Sequence, residues 1–248
     1  MLKTNACISQ QMGRALHAPL DLSFEPGESW AILGKNGAGK STLLQTLAGL
    51  REPLSGDVTL SEKSLAQWHP RNRAQQIGWV AQLQTPSFPA LVRDAVLMGR
   101  FPHQSWWQHA SETDWACVQQ ALIATDLLPL ADRCITSLSG GEWQRVQCAR
   151  VLCQAPSVYL LDEPFSQLDV AHQVQLAQHV TALSETHVVI MILHDLQLAM
   201  RFCNKWLCML PNGDVRHGDR DALCTAETLA QIYQHPFAEQ TTLLPAKR

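Results

Sequence analysis

The stretch Gly34-Lys35-Asn36-Gly37-Ala38-Gly39-Lys40-Ser41-Thr42 fits the pattern G-x-x-x-x-G-K-[ST] without a gap. Before it runs Trp30-Ala31-Ile32-Leu33, apolar throughout, as expected of a strand buried on both faces. After it, Leu43, Leu44, Leu47 and Leu50 recur at helical spacing. The expected order is therefore strand, glycine turn, helix. In that order the glycines let backbone N–H groups close around phosphate oxygens, and the helix start adds the positive end of its dipole. Lys40 then reaches the β- and γ-phosphates of a nucleotide, and the Ser41 hydroxyl ligates magnesium. The bland alternative, a chance glycine turn before a helix, accounts for neither flank.

Working outward, composition bounds the rest. The chain has 248 residues, 46% hydrophobic and 17% charged, enough for one large domain or two small ones. Its net charge of −3 provides no global basic field for nucleic acid or an anionic membrane. Met1 to Cys7 lacks the apolar segment of a secretory signal, and the aliphatic run Val188 to Leu193 is too short to span a bilayer, so a cytosolic chain is expected. The eight cysteines form no C-x-x-C pair, which argues against zinc ribbons and redox dithiols and for buried thiols acting as small hydrophobes. The ten histidines contain no H-x-x-x-H pair, so scattered core and surface imidazoles are the simpler reading.

Upstream of the phosphate loop, Ile8 and the alternating Leu20, Leu22 and Phe24 predict a small antiparallel element, closed by the turn Glu25-Pro26-Gly27-Glu28. Downstream, Pro53 to Asp57 is a turn and Val58-Thr59-Leu60 a short strand. Arg71 to Gln76 predicts a short helix feeding a strand Ile77 to Ala81 that ends at Gln82. The following Leu83 to Pro89 holds Pro86 and Pro89 and is expected to be a moving loop. From Leu91 the pattern turns helical: Val92, Ala95, Val96 and Gly99 share a face, as do Val118, Ala121, Leu122 and Leu127. Residues 91–150 thus read as a helical insertion. Trp106, Trp107 and Trp115 within it mark either a partner surface or helical packing.

Three later stretches bear on chemistry. In Leu138-Ser139-Gly140-Gly141-Glu142 the serine is a helix cap and the glycines leave backbone N–H groups open, a second helix start suited to an anion, although an ordinary capped helix has the same form. Ser157 to Pro164 is a buried strand delivering Asp162 and Glu163 to its carboxyl end, where open α/β sheets bind ligands. In phosphate-loop NTPases the first acid holds magnesium, and Glu163 one residue on is suited to polarise an attacking water. Ser166 to Asp169 then opens a helix over 170–184 that returns the chain to the strand Val188 to Leu193, which ends in His194-Asp195 at the same expected edge. A hairpin around Pro211-Asn212-Gly213 and helical segments near 219–223 and 227–233 complete the chain.

Together these motifs resemble the nucleotide-binding subunit of an ATP-binding-cassette (ABC) transporter, over about residues 15–235. The matching pieces occur in family order: the phosphate loop 34–42, the Q-loop glutamine Gln82, the signature Leu138 to Glu142, the acids Asp162 and Glu163, the D-loop 166–169 and the switch His194. The resemblance implies a phosphate-loop NTPase α/β fold, mostly parallel, with an antiparallel β subdomain and the helical insertion, all in one domain spanning 1–248. It also implies ATP and Mg2+, the ion held by Ser41, Gln82 and Asp162, with Glu163, His194 and Gln82 as catalytic residues. A second copy packed head to tail is implied, its Ser139, Gly140, Gly141 and Asp169 closing over the nucleotide held by the first copy's Gly34 to Thr42. Val96 to His103, Gly141 to Val146 and Leu193 to Leu196 are similar to importer ATPases for ferric siderophores, haem and cobalamin, and Glu142-Trp143-Gln144 leans to cobalamin.

That narrower likeness implies a subunit at the cytoplasmic face of the membrane, peripheral through integral permease subunits, served indirectly by a periplasmic binding protein and without nucleic acid. An exporter subunit and a non-transport cassette ATPase are the alternatives. One departure stands out. Where the family stacks adenine on an aromatic ring, this chain has Gln10-Gln11-Met12-Gly13-Arg14, and His17 is the nearest ring; the guanidinium plane of Arg14 is the substitute considered.

Overall fold

The computed structural model describes residues 1–82, 85–86, 88–105 and 109–236. Trp106, Trp107 and parts of the 83–89 loop lie outside them, so the expectations placed there are not taken further. Contacts divide the chain into two compact units, residues 1–67 with 183–248 and residues 68–182.

The first unit opens with β1 (Leu2–Ile8), the small hairpin β2 (Gln10–Gln11) and β3 (Arg14–Ala15), β4 (Leu20–Phe24) and β5 (Ser29–Gly34). Helix α1 (Lys40–Leu47), β6 (Ser55–Leu60) and β7 (Lys63–Ser64) follow. Strands β4, β1, β6 and β7 form an antiparallel sheet in that order, the element expected from the alternation in 20–24. Its inward side chains, among them Leu2, Leu20, Phe24, Val58 and Leu60, are buried.

The second unit runs through α2 (Pro70–Gln76), β8 (Ile77–Val80), α3 (Val92–Leu97), α4 (Glu112–Ala124), α5 (Gly140–Gln154) and β9 (Val158–Asp162), and into α6 (Val170–Ser184). Strands β8 and β9 pair in parallel. The apolar faces of α3, α4 and α5 enclose one core that contains Val92, Val96, Val118, Leu122, Leu127 and Val146. Capping boxes start both α4 (Ser111 with Asp114) and α5 (Ser139 with Glu142), so each helix begins where a side chain meets its open N–H groups. Trp115 is 40% exposed on α4 and lies outside that core.

The chain completes the first unit with β10 (Val188–Ile192), α7 (Leu196–Phe202), β11 (Lys205–Met209), β12 (Val215–Asp219), α8 (Arg220–Leu223) and α9 (Ala226–Tyr233). Here β5 lies between β10 and β11, parallel to both, and every residue of β5 and β10 is buried. A strand flanked and covered on both faces needs a continuous apolar run rather than alternation, which is what 30–33 and 188–193 supply. The polar β12 pairs antiparallel with β11.

Several boundaries differ from expectation: Ser55 to Asp57, read as part of a turn, already belong to β6, and β8 stops at Val80. Leu50 is 52% exposed and beyond α1, because Gly49 turns left-handed (φ 68) and the N–H of Leu50 bonds back to Gln45 O, closing the helix. The late hairpin, read from the sequence as 206–210 with 214–217, pairs 205–209 with 215–219.

Candidate functional site

In the first unit β5 ends at Gly34 and α1 begins at Lys40, so the glycine-rich stretch is the strand-to-helix turn that its pattern requires. Gly37 and Gly39 sit at φ 82 and 92, a region that Cβ-bearing residues avoid. Gly39 is the N-cap of α1 without any side-chain cap, which keeps the helix start clear. Lys40 is only 6% exposed and folds back over its own loop, donating to Gly34 O at 2.8 Å and Lys35 O at 2.9 Å. Its ammonium is thus held at the turn by backbone carbonyls.

Because β10 pairs in parallel with β5, Ile192 beside Ile32, Leu193 and His194 leave the sheet at the same end as Leu33 and Gly34. His194 is exposed there, and the Asp195 carboxylate accepts from the N–H groups of Gln197 and Leu198 to cap α7. The phosphate loop and His194 therefore share one sheet edge, as the strand-end reading anticipated.

The hairpin upstream differs from an aromatic platform. Met12 at its tip is 97% exposed, with Met12 and Gly13 both at positive φ. His17 is buried, its Nε2 accepting from the Ser9 N–H at 3.1 Å and its Nδ1 lying 2.7 Å from Ala18 O. Burial, partly offset by the Ala18 carbonyl, lowers its pKa. The ring is committed to the turn and does not present a face to a base. Two contacts of the loop had no sequence signal. Leu16 packs where a Cβ on Gly39 would stand, 3.0 Å from its Cδ1, and Lys35 Nζ donates to Gln234 Oε1 at 2.5 Å after α9.

In the second unit β9 carries Asp162, 1% exposed, at its last position. Glu163 follows in the left-handed region at φ 51, a conformation unfavourable for a glutamate and maintained by its surroundings. Its carbonyl accepts from Ser166 Oγ at 2.9 Å, from Ser166 N at 3.2 Å and from Gln144 Nε2 at 3.4 Å. Its carboxylate accepts from Gln82 Nε2 at 3.1 Å. The Q-loop glutamine and the strand-end acid, eighty-one residues apart, are thus in direct contact, and Gln144 ties both to α5.

The signature segment starts α5 by its capping box: Ser139 Oγ accepts from Glu142 N at 3.3 Å, and Glu142 Oε2 from Ser139 N at 2.7 Å. The Ser139 backbone bond, helped by Arg133 nearby, holds the Glu142 carboxyl below its ordinary range. The box engages the N–H of Glu142 and leaves those of Gly140, which is exposed, and Gly141, which is half-buried, outside it. Asp169, also exposed, directs both carboxylate oxygens to His172 in the first turn of α6. Of the expected site residues, the structure joins Gln82 with Glu163 and Gly34 to Thr42 with the strand end bearing His194.

A glycine-rich phosphate turn between a buried parallel strand and a helix, strand-end acids, and a second, serine-capped helix start are the parts of an ATP-binding cassette. The chain belongs to the ABC transporter family, whose profile matches residues 18–166, and it is an ATPase subunit of that family. It is 42% identical over 219 residues to the hemin import ATP-binding protein of Pseudomonas aeruginosa, covering 86% of this chain and 84% of that one. The hemin import ATP-binding protein of Myxococcus xanthus is 38% identical (89% and 85% covered), and the ferric enterobactin transport ATP-binding protein of Escherichia coli 35% (86% and 80%). Among solved structures, an inward-facing metal-chelate type ABC transporter superposes with TM-score 0.82 at 29% identity, over 95% of this chain and 89% of that one. A dimeric cassette in a post-hydrolysis state with ADP and phosphate superposes with TM-score 0.76 at 26% identity, over 88% and 98%. No helix among the described residues is long and apolar enough to cross a membrane.

Proposed function

We propose that this chain energises import of an iron chelate, hemin or a ferric siderophore, through a membrane permease, working as a head-to-tail homodimer on the cytoplasmic face of the membrane. The observation that carries this is the agreement of relatives 35–42% identical over most of both chains, named for hemin or ferric enterobactin. Cobalamin, to which Glu142-Trp143-Gln144 leans, is the second reading. A periplasmic binding protein supplies the chelate, and the 91–150 helices meet the permease. Residues 1–248 act as one cassette domain without a nucleic-acid partner.

In this reading Gly34, Lys35, Asn36, Gly37, Ala38 and Gly39 wrap the phosphates of ATP with backbone N–H groups, joined by Ser41 and Thr42. Lys40 exchanges its bonds to Gly34 O and Lys35 O for phosphate oxygens. Ser41, Gln82 and Asp162 would hold Mg2+, since as hydroxyl, carboxamide and carboxylate they are the hard oxygen donors this ion takes. The ion, when bound, would offset charge on the phosphates. Glu163, its carboxylate held by Gln82 Nε2, accepts the proton of the water that forms the new bond to the γ-phosphorus as the bond to ADP breaks. His194 contacts the γ-phosphate from the neighbouring strand end. The second copy closes the site with Ser139, Gly140, Gly141 and Asp169.

Proteoliposomes holding this chain with its cognate permease, ATP inside and chelate-loaded binding protein outside, test the reading. Uptake of hemin or a ferric siderophore, abolished by Glu163→Gln, is expected. Uptake of cobalamin alone selects the second reading, and uptake of none of these chelates discards both.

A further inference from the structure

Charged side chains from separate elements of the second unit converge on His172. Asp169, just before α6, accepts from the His172 backbone N–H through Oδ1 at 2.9 Å, and its Oδ2 lies 2.8 Å from His172 Nδ1. On the opposite side of the ring, Nε2 lies 3.4 Å from Oδ2 of Asp126, which closes the turn after α4 at φ 52. Asp126 is itself fixed by Arg145 of α5, whose Nη1 donates to Asp126 O at 2.6 Å and Thr125 O at 3.0 Å and lies 3.6 Å from the Asp126 carboxylate. Both ring nitrogens therefore face carboxylate oxygens. A neutral imidazole has one N–H and one lone pair and satisfies a single side, whereas the imidazolium donates to both.

The stretch held by this clasp is also pinned from its other end. Gln167 sits at φ 73, and a Cβ added to Gly140 would overlap its Oε1. A Cβ on Gly141 would stand 2.8 Å from the Gln167 carbonyl oxygen. Residues 167–169 thus lie against the start of α5 on one side and on His172 at the other.

We propose that His172 is a proton-dependent positioning residue, which as imidazolium clasps Asp169 to Asp126 and so holds the 166–169 stretch against Ser139-Gly140-Gly141. Because those segments face the shared nucleotide, the proposal rests on the ATP-site reading above. ATP turnover then falls as the ring loses its proton. The charged groups facing the ring are Asp126 from the turn after α4 and Asp169 from the segment before α6, with Arg145 of α5 acting through Asp126.

The test is steady-state ATP hydrolysis by the full chain with Mg2+, from about pH 5.5 to 8.5, for wild type, His172→Gln, Asp126→Asn and the double variant. Glutamine keeps a hydrogen-bonding group that does not titrate, and asparagine tolerates the left-handed conformation at 126. Exposed ion pairs couple weakly, so the ratio of wild-type kcat to that of His172→Gln is expected to fall about two- to fivefold across this interval. Asp126→Asn is expected to match His172→Gln, and the double variant to add nothing further. Normal turnover with superimposed profiles, additive effects, or a change confined to KM would overturn the clasp alone. Absence of wild-type turnover at every pH would overturn the ATP-site reading and the clasp with it.

Discussion

Glu163 shows how much a single residue depends on its surroundings. Its left-handed backbone is stabilised by Ser166 and Gln144, and its carboxylate by Gln82, so the side chain is oriented by bonds within its own chain. Replacing it with glutamine keeps the size and removes the proton acceptor. Glu163→Gln is expected to bind ATP as wild type does while turnover drops by at least about a hundredfold, the low end of what a general base contributes. Turnover within a few-fold of wild type would refute the assignment. Lys40 stands at the other extreme of exposure to sequence reading: its pattern announces it, and its buried ammonium already sits at the turn. Lys40→Ala is expected to abolish nucleotide binding measurable by calorimetry, and unchanged affinity would contradict the phosphate role.

At the scale of elements, α5 is the part on which the second unit depends. It begins at the signature glycines, sends Gln144 to Glu163, Arg145 to Asp126 and its apolar face to α3 and α4, and ends beneath Gly99. A Cβ on Gly99 would overlap the Arg150 carbonyl oxygen, a backbone atom that cannot swing aside. Gly99→Ala is accordingly expected to lower the unfolding free energy by about 2 kcal/mol, read from thermal or urea melts. The start of α4 offers a pH test. Burial alone raises the Asp114 carboxyl, yet bonds from Arg100, Ser111 and Gln104 outweigh it and hold the group well below the carboxylate range. A carboxylate depressed in the folded state stabilises the fold above its unfolded pKa, and that contribution is lost as pH falls through the folded value. Asp114→Asn, which leaves Arg100 without its anion, is expected to reduce stability by about 3 kcal/mol at neutral pH. Urea melts should show the gap to wild type narrowing below about pH 4; a gap constant with pH would exclude the linkage.

For the whole molecule, the proposed head-to-tail dimer would complete each phosphate loop with the α5 start of the other copy. Gly140 is exposed and Gly141 half-buried, both outside the capping box, in keeping with a surface completed by a second copy. Glu163→Gln with ATP and Mg2+ is expected to elute from size exclusion as a dimer at concentrations where the nucleotide-free chain is a monomer. A monomer under both conditions would argue against the closed pair.

The strands, the phosphate turn and the helix starts were legible in the sequence because each rests on local rules. A strand covered on both faces needs an unbroken apolar run, a phosphate turn needs positive φ at glycine, and a capping box needs Ser and an acid three residues apart. The contacts that join distant positions were not legible. Gln82 on Glu163, Gln144 on the same turn, Gln167 against the signature glycines and His172 on Asp126 all link residues whose spacing carries no period. Nor did the chain announce that His17 is consumed by Ser9 and Ala18. Local backbone preference and hydrophobic pattern determined the elements, the phosphate loop among them, and the family. Which polar side chains meet was decided only when those elements packed, since such bonds depend on distances that folding alone creates.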